Sequence, residues 1–324
     1  LNIPLFTWLM LRGKCKWCKS EIAFRYFLVE LLTAIVFLTI WQLFFANLGI
    51  WGVIGLWIFA ALLIAATFID FDHMIIPDRI TLGGLVVGVL CSVFFPGLQG
   101  ERTWIAGLSS SLVGAGVGFT LLWCIVMLGK LAFGQIKHDF DEPVDFEIYE
   151  VTEKTESGDE EESTILIQLG PDIQYEWPDV FYRSWDRMDM ELTLLQLDDE
   201  EREVKEKFRL FSEHLEVDGE KIDLIDIKRI SGKVKSAVVP REAMGFGDVK
   251  FMAMIGAFLG WKAILITLMA ACCIGAIIGS VQKVLSRDSK VPFGPYLALG
   301  AFIWIFTGWA LWNWYSGIWQ DAFR

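Results

Sequence analysis

Phe68-Ile69-Asp70-Phe71-Asp72-His73-Met74-Ile75-Ile76-Pro77-Asp78 and Met244-Gly245-Phe246-Gly247-Asp248-Val249-Lys250 are the two stretches on which the fold turns. In each, an aspartate stands at the edge of an apolar run: Asp70 closes one and Asp248 opens another. Charge at the border of a hydrocarbon environment is costly, and where it persists it marks a functional site. Apolar runs continue outward at 27–46, 51–69, 80–96, 104–128, 261–282 and 293–313. Each approaches the about 20 residues that cross a bilayer. A further run, 249–259, is too short to span without its flanks. The chain is 54% hydrophobic with 15 Trp and 25 Phe, a composition that excludes an ordinary soluble domain. The expected fold is an all-α polytopic membrane helix bundle with an inserted small soluble α+β domain.

That insert is visible as charge. Residues 131–240 hold 30 of the 40 acidic residues but only 13 of the 28 basic ones, so the remainder is mildly basic. The sequence divides into an N-terminal cytoplasmic segment (1–26), a first membrane part (27–130), the acidic insert (131–240) and a second membrane part (241–324). Within the insert, 164–169 and 190–195 read as strands. Asp199–His214 carries helical charge spacing, Glu150–Ser163 reads as a solvated linker, and Val217-Asp218-Gly219-Glu220-Lys221 reads as a hairpin turn. No basic stripe suggests nucleic acid.

Short basic loops favour the cytoplasmic side. Arg12, Lys14, Lys16 and Lys19 precede the first span, Arg79 follows the second, and Lys283, Arg287 and Lys290 mark a later loop. The uncharged Asn47-Leu48-Gly49 turn falls on the opposite side. With 249–259 and 261–282 as an in–out–in pair, Asp70 and Asp248 lie at the same, cytoplasmic, face.

Paired carboxylates sharing a proton around one water hydrolyse amides without a nucleophilic side chain. The glycines of Gly245-Phe246-Gly247-Asp248 permit close backbone approach and set a carboxylate at a helix start. A Gly-x-Gly-Asp by itself is a weak signal and reads first as a turn. What raises it is the second aspartate at the same membrane face. Asp72 and His73 read as loop residues, and Asp78, after Pro77, as a helix N-cap. Glu30 lies close to Arg25 and reads as its partner or as a site residue. Cys91, Cys124, Cys272 and Cys273 fall inside apolar helices and read as packing residues. Cys15-Lys16-Trp17-Cys18 supplies half of a tetrahedral zinc site. The chain opens at Leu1 as though in mid-protein, so the other half-site is expected upstream or in a partner.

Together these blocks resemble the type IV prepilin peptidase family. The resemblance rests on Asn2-Ile3-Pro4-Leu5, Arg12-Gly13-Lys14-Cys15, Arg25-Tyr26, Glu30-Leu31-Leu32-Thr33, Ile69-Asp70, Pro77-Asp78, Gly245-Phe246-Gly247-Asp248-Val249-Lys250 and Val291-Pro292-Phe293-Gly294-Pro295. It departs from the family at Phe27, where proline is usual, and in the acidic insert. The resemblance implies a membrane aspartyl endopeptidase with Asp70 and Asp248 catalytic, supported by Gly245, Gly247, Lys250, Pro77 and Asp78. It implies cleavage of prepilin and pseudopilin leaders after a glycine, on the cytoplasmic side of the bacterial inner membrane, in a type IV pilus or type II secretion system. It also implies N-methylation using S-adenosylmethionine, and zinc at cysteine pairs, here Cys15 and Cys18. Two other classes compete. An ion-coupled transporter or channel predicts acids threading the bundle, whereas these cluster at one side. A non-catalytic assembly factor predicts dispensable aspartates.

Overall fold

A computed structural model describes residues 4–154, 161–181, 186–197, 200–202, 204, 208–224, 229–241, 244–285 and 292–322. The helices are α1 (Pro4–Met10), α2 (Phe24–His73), α3 (Asp78–Phe94), α4 (Trp104–Phe133), α5 (Trp177–Val180), α6 (Phe246–Leu259), α7 (Trp261–Leu285) and α8 (Gly294–Ala322). A 3₁₀ turn, Pro96–Gln99, joins α3 to α4. The strands are β1 (Gln135–Lys154), β2 (Glu161–Leu169), β3 (Ile173–Glu176), β4 (Arg187–Leu197), β5 (Glu200–Arg202), β6 (Phe208–Phe211), β7 (His214–Val217), β8 (Glu220–Asp223) and β9 (Ile230–Pro240). Two compact units result, residues 1–125 with 244–324, and residues 126–243.

In the helical unit, α2 is a hairpin. Gly49 adopts φ 65°, a left-handed conformation that side chains disfavour, and reverses the chain there. The two arms lie antiparallel: the Trp57 indole Nε1 donates to the Phe37 carbonyl at 2.9 Å, and their rings stack 5.3 Å apart. The arms match the expected runs 27–46 and 51–69. Among the described residues, Phe24–His73, Trp104–Phe133, Trp261–Gln282 and Gly294–Gly317 are long and apolar enough to cross a membrane. The chain is therefore a membrane protein. Helix α3, on the run 80–96, has 17 residues. Helix α6 has only 14, and every residue from Asp248 to Leu259 except Lys250 is buried. It is the unit's central element. Its packing is close because glycines face it: a Cβ on Gly114 would stand 2.2 Å from the Gly256 carbonyl oxygen, and one on Gly88 2.8 Å from the Phe258 ring. Phe258 stacks on Phe59 at 4.5 Å. By contrast Leu38, Phe45, Leu112, Ile277 and Trp314 are exposed, forming apolar surface of the kind lipid covers. Cys91 is buried as expected, but Cys124, Cys272 and Cys273 are exposed on such faces rather than packed.

The second unit corrects the expected α+β insert. It is an antiparallel sheet in the order β3-β2-β1-β9-β4-β6-β7-β8, with β5 on β4, and its described helix is the four-residue α5. Strands fall on 164–169 and 190–195, as read from the alternation. Asp218 (φ 50°) and Gly219 (φ 90°) make the two-residue turn between Val217 and Glu220. The stretch 199–214, read as a helix, instead contributes β5, β6 and the start of β7 among its described residues. Phe208, Leu210 and Leu215 alternate into the core at 0% exposure. Burying such side chains is worth about 1.5–3 kcal/mol each, against about 0.2–0.5 kcal/mol per helical charge pair. The linker expected at 150–163 is strand up to Lys154 and from Glu161, and 155–160 lie outside the described residues. Register shifts near Leu192–Leu194 in β4 switch its buried set from Met188, Met190 and Leu192 to Leu195 and Leu197. Phe208 touches this core at its centre, against Phe146. Phe208→Ala should destabilise this unit by about 3–5 kcal/mol. Limited proteolysis of the whole protein checks this: cleavage within 126–243 should appear at lower urea than in wild type.

Candidate active site

Asp70 lies in the last turn of α2, and Met74 ends that helix in a left-handed conformation with its N–H on the Asp70 carbonyl. Asp248 lies in the first turn of α6, after Gly245 at the N-cap, and its N–H donates to the Gly245 carbonyl at 3.2 Å. The two carboxylates come from positions 178 residues apart in the sequence. Both are nearly fully buried, at 5% and 8% exposure.

Their surroundings interlock. The Gly294 N–H donates to Asp70 Oδ2 at 3.0 Å. Gly294 opens α8, so the positive end of that helix faces the carboxylate. A Cβ on Gly294 would stand 2.6 Å from Asp70 Oδ2 and 2.9 Å from Ile76 Cδ1, while one on Gly247 would stand 3.4 Å from Ile76 Cβ. Ile76 thus packs against Gly247 on the Asp248 side and beside Gly294 on the Asp70 side. Asp248 Oδ1 is buried with no hydrogen-bond partner among the described residues. A buried acceptor left open in this way is costly unless something polar meets it.

Supporting residues fall in two clusters. Lys250 Nζ donates to Asp78 Oδ1 at 2.6 Å and lies 5.3 Å from the centre of the Phe246 ring. Asp78 is therefore not the expected N-cap. Pro77 holds that position, with no side-chain cap, because the Asp78 carboxylate is turned to Lys250. Arg25 donates to Asp72 Oδ1 at 2.5 Å and to the Phe68 carbonyl at 3.2 Å. It thereby ties the start of α2 to the segment carrying Asp70. Asp72 is a helical residue in this pair, not a loop residue, and Arg25 does not pair with Glu30. Glu30 is exposed, and no ion pair among the described residues includes it. Sequence reading missed Ile76 and Gly294 as individuals. The signal for Gly294 was present in the Val291–Pro295 block.

Cys15 and Cys18 are partly to fully exposed. Hydrogen bonds from Ser20, then from Cys15, pull the Cys18 thiol down to about 7. Among the described residues no third His, Cys, Asp or Glu joins them. Two thiolates alone do not fit a tetrahedral zinc, so the expected zinc assignment finds no support.

Residues 1–44 match the family described as Bacterial Peptidase A24 N-terminal domain, and residues 57–138 and 227–280 match the Type IV leader peptidase family. The chain is similar to the prepilin leader peptidase/N-methyltransferase of Aeromonas hydrophila, with 25% identity over 97% of this chain and 69% of that one. It is similar to that of Legionella pneumophila, with 24% identity over 98% and 71%. To that of Dichelobacter nodosus it is 37% identical over 41% of this chain and 43% of that one. No solved structure matches the chain. The second half of these names implies S-adenosylmethionine. An apolar cavity of about 630 Å³ is lined by groups such as Phe68, Phe71, Ile278, Tyr296, Leu299 and Phe302. Among the described residues that line it no carboxylate is present to bind a ribose, and this cavity is not assigned to that cofactor.

Proposed function

The chain belongs to the type IV leader peptidase family, and on that premise we propose that it cuts prepilin and pseudopilin leaders with Asp70 and Asp248 as its catalytic pair. The observation that carries this reading is the burial of both carboxylates around Ile76, Gly247 and Gly294, with Asp248 Oδ1 left open. In the mechanism the pair shares one proton. The ionised carboxylate takes a proton from water as it attacks the scissile carbonyl, and the protonated one hydrogen-bonds the carbonyl oxygen. The leaving amine is then protonated by the carboxyl that received the water's proton. Asp70, held by the Gly294 N–H, is kept in one orientation throughout. Asp248 carries the free oxygen and is the better placed to meet water. The bond cut follows a glycine in a basic leader, at the cytoplasmic face of the bacterial inner membrane, and the product passes to pilus or type II secretion machinery. Gly245 and Gly247 admit the substrate backbone, and the Lys250–Asp78 pair ties α6, which carries Asp248, to the start of α3, which follows the Asp70 segment. On this reading the domains are 1–26, 27–130, 131–240 and 241–324.

The test is to incubate the full chain in membranes with a prepilin and map the products by mass spectrometry. Scission at a single glycine-preceded bond ahead of the apolar segment is expected. An intact substrate, or cuts scattered through the leader, would overturn the proposal.

A further inference from the structure

At the end of α6 remote from Asp248, three side chains from three separate elements converge on one carbonyl. Ser92 Oγ of α3 donates to the Ala257 carbonyl at 3.0 Å, Ser111 Oγ of α4 at 2.8 Å, and Gln99 Nε2 of the 3₁₀ turn at 2.8 Å. The same Gln99 amide reaches Ser92 Oγ at 2.8 Å and the Phe258 carbonyl at 3.3 Å. Ser92 and Ser111 are fully buried. Ala257 and Phe258 lie among the last four residues of α6, whose carbonyls have no partner within the helix. In apolar surroundings such groups are satisfied from within the protein.

Satisfying a carbonyl requires one donor; here there are three, and they hold the helix from three sides. Ala257 stands nine residues from Asp248 on a straight run of helix, about 14 Å away at 1.5 Å per residue. Helix α3 is fastened to α6 at both ends, by Ser92 on Ala257 and by Asp78 on Lys250. Between these points Gly84 and Gly88 let Met254 and Phe258 lie against α3 with no room for a Cβ. A helix held this way has a fixed depth and rotation, and so has the carboxylate at its other end. Helix α3 begins directly after Asp70, Ile76 and Pro77, so the same clamp sets the register between the two aspartate segments. We infer that Gln99, with Ser92 and Ser111, is a positioning residue for the Asp70–Asp248 pair, acting through the length of α6. The inference rests on the peptidase reading above.

The experiment uses the full chain with Gln99→Leu, which keeps the bulk and removes the donor, and with Ser111→Ala, a milder change that removes one bond. Both are compared with wild type for kcat, KM and the pH–rate profile on prepilin. In parallel, substrate-free labelling of Asp248 by an apolar carbodiimide is read by mass spectrometry. Gln99→Leu should lower kcat by about 10–100-fold, the scale of a displacement of about 1 Å, with KM unchanged, a displaced pH–rate profile and an altered labelling rate at Asp248. Ser111→Ala should move the same quantities less. Unchanged kcat in both variants overturns the inference. So does a fall that follows the loss of folded protein while the pH profile and labelling stay those of wild type. If the wild-type chain cuts no prepilin, the peptidase reading fails separately, and Asp248 labelling alone decides whether the clamp positions it.

Discussion

Asp248→Asn should leave a folded, inserted chain that cuts prepilin at least about 10³-fold more slowly. Asparagine has nearly the same shape, so the packing of α6 around it is kept. The buried site loses a carboxyl and gains a neutral amide, which is no harder to hold in apolar surroundings. What disappears is the ability to take a proton from water and return it to the leaving amine. The loss belongs in kcat, since Asp248 Oδ1 meets no other protein group that binding substrate would disturb. Cleavage of prepilin by membranes bearing the variant, normalised to the amount inserted, is the measurement. The same substitution at Asp70 should also be severe, and there the amide must point its single oxygen at the Gly294 N–H to keep that bond.

Gly294→Ala should lower kcat by about 10²-fold without preventing insertion. The residue has helical dihedrals, so the cost is not one of backbone conformation. The added methyl would stand 2.6 Å from Asp70 Oδ2 and 2.9 Å from Ile76 Cδ1. Neither distance is tolerable, so the carboxylate or the helix start must move by several tenths of an ångström. The Ile76 terminus can turn away, whereas the Asp70 carboxylate is short and held by the Gly294 N–H itself. A larger residue such as valine should abolish cleavage. Thermal unfolding of the alanine variant within a few degrees of wild type, together with the kcat loss, would identify a displaced carboxylate rather than a collapsed bundle.

The membrane helices were legible because apolar runs are a local signal. The turn at Gly49 and the hairpin at Asp218-Gly219 were legible because the chemistry of the turn is in the residues themselves. Asp70 and Asp248 stood out for the same reason: a carboxylate at the edge of an apolar run is conspicuous without any partner in view. Pairing was not legible. Arg25 has Glu30 close by in sequence, yet its partner is Asp72, brought back by the reversal at Gly49. Asp78 looked like a cap by its position after Pro77, but Lys250 from another helix claims its carboxylate. The 199–214 stretch was misread because its charges keep helical spacing, while the deciding fact, pairing of β6 with β4 and burial of Phe208 and Leu210 in the sheet's core, involves residues outside the stretch. Gln99 gave no sign at all: a glutamine in a short loop between apolar helices carries no local pattern that announces bonds to two carbonyls and a serine hydroxyl.

The central claim is that the two aspartates act as one catalytic unit. A double-mutant cycle tests it most directly, with single-turnover prepilin cleavage measured for Asp70→Asn, Asp248→Asn and the double variant in the same membranes. Residues that work as a unit are strongly non-additive, so each single variant should lose nearly as much rate as the double. Losses that multiply in the double variant, or substantial cleavage by either single variant, would contradict the account.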